Sequence, residues 1–142
     1  MCGIAGVFSS DFSLDNRKVK LEKMLEAQQH RGPDATEQWH DAFCSLGHNR
    51  LSIIDLSSEA NQPMKSSCGR YVVVFNGEIY NYLEIKNELA PYFQFRTQSD
   101  TEVLLNAYIH WGVDFLHHLN GMFSIAIWDI QLQNLFIARD RF

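Results

Sequence analysis

Met1-Cys2-Gly3-Ile4-Ala5-Gly6-Val7-Phe8 opens the chain. Gly3 to Phe8 is a short apolar run, readable as a buried strand that begins almost at the N-terminus. Such a strand holds the terminus inside a sheet instead of letting it fray. That placement gives Cys2 a chemical use. Removal of Met1, expected because the cysteine side chain is small, leaves a free α-amino group beside the Cys2 thiol. An unperturbed α-amine has a pKa of roughly 7.7–8.0, so it can act as a base near neutral pH. A nucleophile paired with its own terminal amine needs no separate histidine. Two other readings stay open: a cysteine that stands at position 2 by accident, and a conventional Cys–His pair through His30 or His48.

Outward from that strand, Asp15 or Asn16 can cap a helix reaching about Gln29, with Leu21, Met24, Leu25 and Gln28 at helical spacing. His30-Arg31-Gly32-Pro33-Asp34 stops it. Thr36 to His40 and Phe43 to Asn49 predict paired strands around a turn at Asp41-Ala42. The stretch from Arg50 to Gly69 is irregular, and a long unstructured segment inside a compact domain is usually functional. Tyr71 to Phe75 predicts a strand ending at Asn76-Gly77. Tyr82 to Leu89 is helical and stopped by Pro91, and Gln94 to Thr97 reads as a short strand. Ser99 and Glu102 form a capping box that opens a helix from Asp100 to Trp111, closed by Gly112. A short helix covers about Asp114 to Leu119. Met122 to Ile130 and Leu135 to Arg139 make a hairpin. Strand pairs on short turns, with helices between them, predict an α+β domain with largely antiparallel sheet.

The chain has 142 residues, within the usual range for one domain, and 46% of them are hydrophobic, enough for a core. Its net charge of −5 and scattered basic residues argue against nucleic-acid binding. The densest basic run, Arg17-Lys18 through Lys20 and Lys23, reads as a solvated helix face. No apolar run is long enough to span a membrane, and the N-terminus lacks a signal-peptide pattern. The 3 cysteines show no paired spacing, which predicts reduced thiols and a cytoplasmic setting. No metal-binding spacing is present, so no metal is expected. Cys44 reads as a buried apolar residue.

The remaining chemistry gathers on four positions. Acyl transfer needs donors for an oxyanion, typically a side-chain amide and a backbone N–H. Asn76 offers the first, and Gly77 lets the backbone approach closely, although Asn-Gly is also an ordinary turn signal. An α-amino acid substrate needs a cation for its carboxylate and an anion for its amine. Arg50 suits the first through its planar fork, or else forms a surface ion pair. Asp100 suits the second, although acidic residues favour helix N-termini in any case.

Met1 to Gly6, His30 to Asp34, His48 to Ile53, Asn76 to Asn81 and Ser99 to Glu102, with Leu119 to Phe123 and Ala138 to Arg141, resemble class II glutamine amidotransferase domains, nearest to those of glutamine-hydrolysing asparagine synthetases. The resemblance implies a four-layer α/β/β/α sandwich of two stacked antiparallel sheets, the N-terminal-nucleophile hydrolase fold. It implies that Cys2 attacks the side-chain amide of L-glutamine, releases ammonia and forms a thioester that water hydrolyses. Carried over by position, Asn76 and Gly77 form the oxyanion hole, Arg50 binds the carboxylate, and Asp100, helped by Glu78, binds the α-amine. His30 to Asp34 orders the pocket. In that family a synthetase domain in cis uses the ammonia, with ATP and Mg, to amidate aspartate. Residues 1–142 would then be the amidotransferase domain, incomplete at its C-terminus and without the synthetase domain. A homodimer is a further expectation. Two alternatives stand beside this: an amidotransferase acting on polysaccharide or small-metabolite carboxylates, and a non-catalytic fragment or interaction module.

Overall fold

A computed structural model describes residues 2–141 of the protein. The expected loss of Met1 therefore falls outside the described residues. Seven strands and three α-helices follow in the order β1 (Gly3–Phe8), α1 (Leu14–Ala27), β2 (Ala35–His40), β3 (Cys44–Arg50), β4 (Met64–Lys65), β5 (Tyr71–Ile79), α2 (Tyr82–Leu89), α3 (Asp100–Trp111), β6 (Gly121–Asp129) and β7 (Asn134–Arg139). Short 3₁₀ turns at Gln29–Arg31, Ser58–Ala60 and Gly112–His118 complete the set.

Two antiparallel sheets result, one ordered β1-β3-β2 and the other β4-β5-β6-β7. They face each other through Cys44 and Leu46 of β3, Val72 and Val74 of β5, and Trp128 of β6. Alternation along the strands makes the other face of each sheet available to helices. Leu21 and Leu25 of α1 lie over Gly47 on the first sheet. Ile85 and Leu89 of α2, with Val103, Leu104 and Ala107 of α3, pack on Val73, Phe75, Ile125 and Ile127 of the second. The architecture is the expected helix–sheet–sheet–helix sandwich. No helix among the described residues is long and apolar enough to cross a membrane.

Four local expectations need correction. Asn76-Gly77 does not end its strand: β5 continues to Ile79, with Asn76 paired to Ser124 and Gly77 to Phe123. Gln94 to Thr97 forms no strand, because the Arg96 and Thr97 N–H groups donate to the buried Glu102 carboxylate instead of a ladder. Helix α1 starts earlier, with the Ser13 hydroxyl accepting from Asn16 N–H, and Met24 lies on its exposed side. Arg17 is not on a solvated face. It is 1% exposed, and its guanidinium donates to the carbonyls of Phe12 and Asp41, each at 2.7 Å. An arginine survives burial there because backbone carbonyls of the Ser9–Phe12 loop and the β2–β3 turn converge on it. Cys44 is buried as expected, and burial pushes its thiol up to about 12.

Candidate active site

The N-terminal end of β1, the C-terminal ends of β3 and β5, and the start of α3 surround one cavity of about 150 Å³. Cys2, Arg50, Gly77, Glu78 and Asp100 line it. Five of the six site residues read from the sequence are thus brought together, although they span nearly 100 positions of chain.

Cys2 is half-buried, one residue ahead of β1. Its Sγ accepts from the Leu51 N–H at 3.3 Å and lies 3.6 Å from the Leu51 carbonyl, to which the thiol donates. Its own carbonyl accepts from Arg31 Nε at 3.0 Å. Hydrogen bonds from both sides therefore fix the backbone and the sulfur of the same residue. No hydrogen bond joins Cys2 Sγ to His30 or His48 among the described residues, so the conventional Cys–His pair gains no support.

The His30–Asp34 segment packs where the sequence placed it. Asp34 N–H donates to the Arg50 carbonyl at 3.0 Å, and Asp34 Oδ2 accepts from Ser52 N–H at 2.7 Å. Gly32 is required by this approach: a Cβ there would lie 2.2 Å from the Asn49 carbonyl oxygen. The loop thus braces both ends of the Arg50–Ser52 backbone.

Arg50 is 8% exposed on the cavity wall. Its Nη1 donates to the Ser57 carbonyl at 2.6 Å and to Asn61 Oδ1 at 2.5 Å, and Nη2 donates to the Asp55 carbonyl. These acceptors are neutral and all lie on the irregular segment after β3. The guanidinium charge has no carboxylate partner within salt-bridge range among the described residues, so a surface ion pair is not its role.

Asp100 begins α3 with Ser99 as its N-cap, the Ser99 hydroxyl accepting from Glu102 N–H. The carboxylate accepts from Ile79 N–H at 3.1 Å, tying α3 to the end of β5. Burial pushes the Asp100 carboxyl up to about 6, with nearby Glu78 adding to the rise and backbone N–H groups of Ile79 and Thr101 opposing it. A buried anion with a raised pKa is poised for a cationic partner.

Gly77 lines the cavity, and β6 crowds it: a Cβ would lie 2.1 Å from the Met122 carbonyl oxygen. Asn76 is not part of the cavity lining. Its side-chain Oδ1 is buried without a hydrogen-bond partner. The pair that sequence alone could read as a turn is therefore a mid-strand element that brings backbone to the cavity.

Two residues escaped the sequence reading. Arg31 clamps the Cys2 carbonyl. Gln62 lines the cavity and bridges two elements, accepting from Phe75 N–H at 2.6 Å and donating to Thr101 Oγ1 at 3.1 Å. Arg31 stood inside a motif already singled out. Gln62 lies in the irregular segment, where no periodicity marks a position.

A model of the glutamine amidotransferase domain family matches residues 1–142. The chain is 40% identical over 144 residues to a glutamine-hydrolysing asparagine synthetase of Bacillus subtilis, covering 99% of this chain and 23% of that protein. It is 45% identical over 133 residues to a putative glutamine-hydrolysing asparagine synthetase of Mycobacterium tuberculosis, covering 86% of this chain and 20% of that protein. It is 40% identical over 153 residues to amidase chry2 of Gibberella zeae, covering 100% of this chain and 23% of that protein. The chain thus spans less than a quarter of the length of these curated relatives. Among solved structures, the glutamine phosphoribosylpyrophosphate amidotransferase of B. subtilis superposes with a TM-score of 0.74 at 21% identity, over 98% of this chain and 36% of that one.

Proposed function

Since the chain belongs to the glutamine amidotransferase domain family, we propose that its cavity hydrolyses the side-chain amide of L-glutamine to glutamate and ammonia. The observation that carries this is the convergence of the Cys2 sulfur, the Arg50 cation and the Asp100 anion on one cavity. Those three groups match the three ends of glutamine: amide, carboxylate and ammonium.

The steps follow from the placements. With Met1 removed, the Cys2 amine takes the thiol proton, and the sulfur attacks the amide carbon. Gly77, which brings backbone to the cavity, stabilises the oxyanion through its N–H. The C–N bond breaks, and ammonia leaves with the proton that the amine held. Water then adds to the acyl carbon, the C–S bond breaks, and the thiol and glutamate are released. Arg50 exchanges neutral loop carbonyls for the substrate carboxylate, and charge-assisted hydrogen bonds are roughly twice as strong as neutral ones. Asp100 and Glu78 receive the α-ammonium group.

The asparagine synthetase relatives support aspartate as the acceptor of the ammonia within a longer protein. ATP and magnesium serve that amidation and play no part in the hydrolysis.

Alkylation by the glutamine analogue 6-diazo-5-oxo-norleucine tests the hydrolytic reading. Labelling at an N-terminal Cys2, protected by glutamine and lost in Cys2→Ala, is expected. Labelling at Cys44 or Cys68 would overturn the mechanism.

A further inference from the structure

His48 is 1% exposed and lines the same cavity as Cys2 and Arg50; the Phe75 backbone lies close enough to its ring to favour a ring N–H, but neither ring nitrogen makes a hydrogen bond of good geometry. A neutral imidazole carries one N–H donor and one lone-pair nitrogen. Leaving such groups buried and unmet costs free energy that packing alone does not justify. An apolar ring would fill the same space. The Phe75 backbone can serve the N–H side alone, so a donor from within the cavity is the remaining way to satisfy the lone-pair nitrogen.

The position of the ring narrows that partner. His48 pairs with Ile4 across β1 and β3. Ile4, Cys44 and Leu46 face the second sheet, so alternation puts His48 and Cys2 on that face too. Cys2 stands two residues before Ile4 and is therefore the same-face diagonal neighbour of His48. Diagonal neighbours in an antiparallel pair are roughly 7–8 Å apart. No hydrogen bond joins the Cys2 sulfur to the ring among the described residues, although both line the cavity, so one small molecule in the cavity can lie between them. Burial and then the Arg50 charge lower the His48 pKa to about 4, although the Phe75 backbone beside the ring opposes them. The ring is thus neutral at neutral pH, able to accept a hydrogen bond and poorly able to keep a proton.

We infer that His48 holds the water that hydrolyses the Cys2 thioester, a role that rests on the hydrolytic reading above. The water oxygen bonds to the acyl carbon, the C–S bond breaks, and one water proton passes to the departing sulfur. His48 accepts a hydrogen bond from the water and orients it. The imidazole ends the step as it began, neutral.

The test separates the two halves of the reaction in His48→Phe and His48→Gln. Three readings are taken: the rate of Cys2 alkylation by 6-diazo-5-oxo-norleucine, glutamate release, and the acid-quenched mass of the protein during turnover with glutamine. For His48→Phe the expected result is alkylation within about threefold of the parent protein, glutamate release slowed roughly tenfold to a hundredfold, and glutamyl thioester accumulating on Cys2. Hydroxylamine, a nucleophile that needs less positioning than water, restores turnover as the hydroxamate. His48→Gln, whose amide can hold a water, falls between, and it decides the question if His48→Phe loses its near-ultraviolet circular dichroism. Parallel loss of alkylation and hydrolysis, without thioester, would show that the ring only packs and would overturn the inference. Unchanged hydrolysis would overturn it as well. A parent protein that is not alkylated at Cys2 and releases no glutamate would sink the hydrolytic reading itself, and the water role with it.

Discussion

Arg31 Nε donates to the carbonyl oxygen of Cys2 at 3.0 Å, across 29 positions of chain. Cys2 sits ahead of the first ladder pair, Gly3 with Asn49, so the β1–β3 ladder does not hold it. Arg31 supplies that hold from the His30–Asp34 loop. Arg31→Ala is expected to lower kcat about tenfold while shifting the unfolding midpoint little, because the side chain orients Cys2 more than it fills core. Arg31→Lys recovers only part, since an ammonium lacks the planar geometry of the guanidinium. Glutaminase kinetics beside thermal unfolding check both, and an unchanged kcat in Arg31→Ala would remove the clamp from the account.

Gly77→Ala acts through packing. The added Cβ meets the Met122 carbonyl oxygen at 2.1 Å and Phe123 Cα at 2.7 Å, both backbone, so β5 and β6 must separate. We expect a loss on the order of 3 kcal/mol in urea unfolding, together with loss of Cys2 alkylation. Gly69→Ala is the control. Gly69 has positive φ, 75°, as Gly77 does at 157°, but a Cβ there meets nothing nearer than Lys65 Cε at 3.6 Å. That change is expected to cost about 1 kcal/mol and to leave alkylation intact.

The layered architecture was legible because alternation and helical spacing report burial directly, as Leu21, Leu25 and the Met122–Ile130 run do. Cys2, Arg50, Gly77, Glu78 and Asp100 were legible through motifs, and the structure gathers all five at one cavity. What escaped is what depends on partners distant in sequence. Gln94–Thr97 reads as a strand locally, but Glu102 takes its N–H groups. Arg17 reads as solvated, but the carbonyls that receive it come from the loop before α1 and from Asp41, beyond β2. Asn76-Gly77 reads as a stop, but β6 supplies a partner for every residue through Ile79.

Arg17 is expected to matter for stability alone. Its guanidinium joins the loop before α1 to the β2–β3 turn, where Asp41 also accepts from Trp128 Nε1 at 2.5 Å. Arg17→Leu removes a buried cation and strands the carbonyls it served. A loss of about 2–4 kcal/mol in urea unfolding, with kcat/KM for glutamine unchanged below the transition, is expected. An effect under about 0.5 kcal/mol would mean that water replaces the guanidinium at no cost.

Asp100 is expected to tie substrate binding to pH, with opposite consequences for binding and stability. Its carboxyl is raised by burial, with help from Glu78, from 3.8 to about 6. Below that value it is neutral and cannot attract the α-ammonium of glutamine. KM for glutamine is therefore expected to rise as pH falls through about 6, with kcat changing less, and Asp100→Asn removes that inflection, raising KM roughly tenfold to a hundredfold at pH 8 and converging on the parent protein below pH about 6. For stability, the folded pKa lies above the unfolded one, so the folded state binds the proton more tightly. Ionised Asp100 then lowers stability as pH rises from about 4 through 6, and the full cost, on the order of 2–3 kcal/mol, is present above that. Asparagine keeps an acceptor for Ile79 N–H without the charge. Asp100→Asn is therefore expected to be more stable than the parent protein at pH 8, with the gap closing below pH about 4. Unfolding curves at the two pH values, beside glutamine kinetics, check the pair. A variant that binds glutamine normally at pH 8, or that loses stability there, would show that Asp100 serves the helix and not the substrate.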